Sequence, residues 1–79
     1  MYLQPMEPIY IYVTDRVRAM RESHNISQEQ IAEWLDRPVD EIIQMERYEG
    51  PYTYEPNDIN MLAFRFKCSL HYFIPERPL

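Results

Sequence analysis

The stretch Ser27-Gln28-Glu29-Gln30-Ile31-Ala32-Glu33-Trp34-Leu35-Asp36-Arg37-Pro38-Val39-Asp40-Glu41-Ile42-Ile43-Gln44-Met45-Glu46-Arg47 reads as two short helices around a tight turn. Ser27 followed by Gln30 is a capping box, and Ile26 with Ile31 forms a hydrophobic staple across it, so a helix starts at Ser27. Ile31, Ala32 and Leu35 are its buried stripe. Asp36-Arg37-Pro38 stops it, because proline disfavours a helical conformation in the residue before it. Pro38 suits the first turn of the next helix, expected over about Pro38 to Tyr48 with Val39, Ile42 and Met45 on one face.

Upstream, Ile9, Ile11 and Val13 alternate with Tyr10 and Tyr12 after two prolines, a pattern that predicts a short strand. A lone strand needs an edge to pair with, so Ile9, Tyr10, Ile11 and Tyr12 are expected at a homodimer interface. Thr14 is the expected N-cap of a first helix over about 14–24, with Val13, Val17 and Met20 inward and Arg16, Arg18 and Arg21 outward. Downstream, Glu49 to Glu55 is a loop with the only glycine, Gly50, at the helix C′ position. Pro56 opens a fourth helix with Ile59, Leu62, Ala63 and Phe66 on its apolar stripe, and Ser69 caps a short fifth helix reaching Phe73. The expectation is a compact all-α, five-helix domain with a short N-terminal β-strand: an arm over 1–13, the domain over 14–74 and a tail over 75–79.

With 79 residues, 46% of them apolar, the chain is one small folding unit, too short for two cores. No apolar run approaches the roughly 20 residues of a membrane span, and the N-terminus lacks a signal-peptide pattern, so neither insertion nor secretion is expected. Cys68 stands alone, which excludes an internal disulfide and a multi-cysteine zinc site and fits a reducing cytoplasm. The net charge of −5 opposes the basic footprint of a non-specific nucleic-acid binder. Residues 27–50 carry all of that imbalance, with seven acids against two bases. Glu29, Glu33, Asp36 and Asp40 read as a solvated acidic face rather than a metal site, since His24 and His71 are remote in sequence. No nucleophile or phosphate loop accompanies them, so neither an enzyme nor a cofactor is expected.

Two short helices joined by a tight turn have the layout of a helix-turn-helix. Ser27-Gln28, Ile31-Ala32, Leu35, Ile42 and Met45-Glu46-Arg47, with an arginine-bearing helix before them and Leu62-Ala63, Phe66, Cys68-Ser69 and Phe73 after them, resemble the lambda repressor and Cro (XRE-like) family over about residues 14–74. The resemblance implies a lambda-repressor-like fold and a cytoplasmic, dimeric, sequence-specific DNA-binding transcription regulator whose third helix enters the major groove. It would set Pro38, Val39, Asp40, Glu41, Ile43 and Gln44 before the bases: Gln44 for adenine, Val39 and Ile43 for a thymine methyl, Asp40 or Glu41 for the cytosine amino group. Asn25, Gln28, Arg37 and Arg47 would contact phosphates. Glu46 would make a structural contact with Arg18 or Arg21.

Asp36 stands where the family usually has glycine, and the Tyr48–Glu55 loop lacks the bases that family members often use on the backbone. Trp34 is either a rim residue covering the N-terminal segment or an interface anchor. Tyr48, Tyr52 and Tyr54 are expected to pack an ordered loop, and Cys68 to be a buried, inert thiol. The second expectation is a helix-turn-helix scaffold serving as a protein-binding module, such as an antirepressor, an antitoxin-like partner or an adaptor, through its acidic face. A basic rim of Arg16, Arg18, Arg21, Arg37 and Arg47 around the third helix would favour DNA, and a continuous negative face a protein partner.

Overall fold

Proline brings a fixed φ and no N–H, both suited to a helix's first turn, and Pro8 opens α1, Pro8–Ser23. The computed structural model describes residues 7–77, and residues 1–6 of the expected arm and 78–79 of the tail lie outside them. The strand expected over Ile9–Val13 is therefore corrected to helix, and no strand occurs among the described residues. The physical reason is that five residues are too few to separate the two periods. Ile9 and Val13 share a face in a strand and in a helix alike, and Val17 and Met20 extend that face at helical spacing. Thr14, expected as a cap, is buried in mid-helix with 1% exposure.

α2 spans Gln28–Leu35, and the Ser27 hydroxyl accepts from the Gln30 amide at 3.0 Å as expected. The reciprocal half of the capping box is absent, because the Gln30 side chain donates to Glu33 instead, at 2.8 Å. α3 spans Val39–Glu46 with Pro38 as its N-cap residue. α4 spans Pro56–Phe66, where the Asp58 carboxylate accepts from the Glu55 amide at 2.7 Å and closes a capping box. Ser69 then caps a single 3-10 turn, Leu70–Tyr72, in place of the fifth α-helix. No helix among the described residues is long and apolar enough to cross a membrane.

The apolar stripes of the four helices meet in one core. Val17, Ile31, Ile42, Met45 and Leu62 are fully buried, and Phe73 closes the core from the 3-10 turn. Tyr54 joins them from the loop after α3, with a buried hydroxyl that has no hydrogen-bond partner and a phenol pushed above its ordinary pKa by that burial. Tyr52 is half-buried against the same core, so the two loop tyrosines pack as expected.

All four helices end alike, in a left-handed residue that is not glycine: Asn25, Asp36, Tyr48 and Lys67, with φ between 55 and 58°. Each end is sealed by the same bond from the following amide to a carbonyl five residues back: Ile26 to Arg21, Arg37 to Ala32, Glu49 to Gln44 and Cys68 to Ala63, at 2.8–3.0 Å. The C′ role expected of Gly50 falls to Tyr48, two residues earlier.

A left-handed L-residue costs about 1–2 kcal/mol that glycine avoids. Lys67→Gly is therefore expected to raise stability by about 1 kcal/mol in urea denaturation; a loss would mean that the lysine side chain holds this end. Tyr54→Phe removes the orphan hydroxyl and should be neutral or stabilising by about 1 kcal/mol, whereas a clear loss would reveal a hydrogen bond to that oxygen.

Candidate nucleic-acid interface

The position of α3 is set by its last residue. Glu46 is 7% exposed, and a carboxylate so buried needs donors for its oxygens. Arg21 of α1 supplies a two-pronged contact, Nε to Oε2 at 3.0 Å and Nη2 to Oε1 at 2.8 Å. Gln28 of α2 donates its amide to Oε1 at 3.0 Å, and Arg18 adds a contact of 3.5 Å from Nε while also donating to the Glu46 carbonyl. Glu46 thus joins α3 to α1 through Arg18 and Arg21, the arginines the resemblance implied, and to α2 through Gln28. The Gln28 amide nitrogen, expected at a phosphate, donates inward to Glu46 in this fold.

A second clamp holds the turn. Arg37 donates from Nε to Glu41 at 2.8 Å and from Nη1 to the Thr53 carbonyl at 3.0 Å and the Asp58 carboxylate at 2.7 Å. Burial works against its charge, but the Glu41 hydrogen bond and the Asp58 carboxylate outweigh it and hold the guanidinium pKa above its ordinary value. Arg37 is therefore a structural tie between the turn, α3 and α4, and Glu41 is its partner. Both residues, expected at DNA, are held here by partners within the fold.

What remains outward on α3 is compact. Asp40 and Arg47 are exposed, Ile43 and Gln44 are half-buried, and all four share the face opposite Ile42 and Met45. Val39 is half-buried against the core. Gln44 folds back on the following loop: a Cβ on Gly50 would lie 2.2 Å from Gln44 Oε1, and Gly50 has φ +75°. The positive φ favours glycine there, and the absent Cβ leaves room for the end of the Gln44 side chain.

Tyr48 is 42% exposed and donates its hydroxyl to Asp15, a contact that raises the phenol pKa, with Arg18 5.6 Å from the ring centre. Trp34 is half-buried and meets Phe66 edge-on at 5.3 Å, with Arg65 5.8 Å from the indole. Among the described residues it packs on α4. Of the expected interface residues on α1, Ile9, Ile11 and Tyr12 are half-buried and only Tyr10 is exposed. Cys68 is half-buried, not fully buried, and burial raises its thiol pKa.

The charges divide accordingly. Arg16 donates to the Tyr72 carbonyl at 2.7 Å and lies 3.8 Å over the Tyr72 ring. With Arg18, Arg21 and Arg37 held in ion pairs, Arg47 is the one base of the expected rim whose side chain makes neither an ion pair nor a hydrogen bond among the described residues. Glu41 and Glu46 are likewise taken inward, while Glu29, Glu33, Asp36, Asp40 and Glu49 stay exposed. Among the described residues no three His, Cys, Asp or Glu side chains gather at a metal-sized site. Compared with protein-family models, curated proteins and solved structures, the chain matches none.

Removing one member of a buried ion pair strands its partners, at a cost of about 3–5 kcal/mol. Glu46→Ala is expected to lose that much in urea denaturation and Arg37→Ala about 2–3 kcal/mol, while Asp40→Ala stays near zero. Equal effects at Asp40 and Glu46 would refute this division between structural and outward acids.

Proposed function

We propose that α2, the Asp36–Pro38 turn and α3 are the helix-turn-helix unit of a lambda-repressor- and Cro-like DNA-binding domain, and that the protein is a sequence-specific transcription regulator. The observation that carries this reading is the double clamp on α3. Glu46 and Arg37 fix the helix from both ends and leave Asp40, Ile43, Gln44 and Arg47 as one outward face. Those residue types match the edges of base pairs in the major groove. Ile43 suits a thymine methyl, Asp40 the cytosine amino group and Gln44, once swung from Gly50, the two polar atoms of adenine. Arg47 is the phosphate or guanine contact. The face is also charge-balanced, Asp40 against Arg47, so the acidity of residues 27–50 does not fall on α3's reading surface.

Affinity per copy is low in this reading, because most nearby bases are engaged within the fold. One observation favours a second reading, a protein-binding module. Glu29, Glu33 and Asp36 are exposed on α2 and the turn, and the one base beside them in sequence, Arg37, is engaged within the fold.

Binding of a selected DNA pool, followed by fluorescence anisotropy against salt, separates the two. The slope of log K against log salt is about −0.9 for each phosphate neutralised. The DNA reading expects site-specific binding at low salt with a shallow slope of about −1 per copy. Arg47→Ala should remove about one unit of slope on every sequence, and Gln44→Ala should cost about 1–3 kcal/mol at a single base pair. Failure to enrich any sequence, with no salt dependence, would leave the protein-binding reading.

A further inference from the structure

We infer that α4 carries a self-complementary seam on which a second copy of this chain docks. The core-facing residues of α4 are Ile59, Leu62 and Phe66, and the opposite side presents Asn57, Asn60, Met61 and Phe64, all exposed and recurring at helical spacing. Phe64 is 74% exposed, far more than any other large apolar side chain among the described residues. Met61 is 38% exposed, and Leu70 and Ile74, on the segment that follows, are nearly as open. An aromatic ring so placed is the type of residue that anchors an interface.

Charge selects the occupant. The exposed faces of the other helices bear acids: Asp15 and Glu22 on α1, Glu29 and Glu33 on α2, Asp40 on α3. Two copies of a chain with net charge −5 repel through the acidic faces of α1 and α2, while the α3 face, with Asp40 against Arg47, is balanced but has no exposed large apolar side chain. The α4 seam has no charge along its middle. It is flanked by exposed Glu55 before its N-terminus and by exposed Arg65 and Lys67 at its C-terminus.

An antiparallel α4 pair, as two-fold symmetry produces, therefore brings Arg65 and Lys67 of each copy toward Glu55 of the other. The two helix dipoles are opposed favourably. Phe64 then meets Met61 across the axis, along a helix about 16 Å long. This interface differs from the N-terminal pairing that the sequence suggests, and it stands independently of the DNA reading.

The test is sedimentation velocity of the full chain without DNA, from micromolar to millimolar concentration, with circular dichroism of each variant. The chain is expected to be in monomer–dimer equilibrium. Phe64→Asp should be folded and monomeric, Arg65→Glu should weaken the dimer about tenfold, and Tyr10→Ser should leave it intact. A chain that stays monomeric throughout overturns the inference and leaves the seam to a different protein. A dimer that survives Phe64→Asp but not Tyr10→Ser also overturns it, by moving the contact to α1.

Discussion

A carboxylate withdrawn from water must find donors, and Glu46 finds them on two other helices at once. Arg21 grips both oxygens from α1, Gln28 reaches one of them from α2, and Arg18 closes on the same residue from the side. Apolar contacts between Ile31, Ile42, Met45 and Leu62 would tolerate small rotations of α3, since hydrophobic attraction has no direction. The guanidinium–carboxylate geometry does not, because two parallel hydrogen bonds fix both distance and plane. Which side of α3 faces solvent is thus decided by its final residue. The outward set of Asp40, Ile43, Gln44 and Arg47 is a consequence of that anchoring.

The turn before α3 is held by the same chemistry. A chain with one glycine must end its helices on residues that dislike the left-handed region, and Asp36 is one of them. Arg37, next to it, ties the turn to Glu41, Thr53 and Asp58 and so secures a backbone conformation that local propensity does not favour. The arginines that would surround a DNA-reading helix are here the ones that build the fold. Structural anchoring and phosphate affinity compete for the same side chains, and in this chain the fold takes Arg16, Arg18, Arg21 and Arg37.

Local signals proved legible and long-range ones did not. The Ser27 cap, the stop at Asp36–Pro38, the start at Pro56 and the Ser69 cap are each written within three or four residues, and all appear in the fold. The N-terminal error came from a window too short to tell alternation from helical recurrence. The Gly50 error came from assuming that the one glycine must take the left-handed helix end, when Tyr48 took it and Gly50 instead makes room for Gln44. Sequence places Gln28 and Arg37 outward; of their partners only Glu41, four residues from Arg37, is local, while Glu46, Thr53 and Asp58 lie 16 to 21 residues away. Nothing near either residue in sequence marks the distant pairings. The Asp58 capping signal was present in the sequence, but its second use as an Arg37 partner depends on how α4 crosses the turn.

The −5 of residues 27–50 changes meaning once these pairs are removed from the surface. Glu41 and Glu46 face inward onto arginines, so the exposed acids of the segment are Glu29 and Glu33 on α2, Asp36 and Glu49 at helix ends, and Asp40 alone on α3. In the DNA-binding reading proposed above, a single copy would offer a nearly neutral α3 face and few means to hold a phosphate backbone. Affinity for a duplex would then have to come from joining two reading faces, since linkage converts a second weak contact into an intramolecular one. The proposed α4 seam would meet that requirement, because its uncharged, apolar side lets two acidic molecules approach without repulsion.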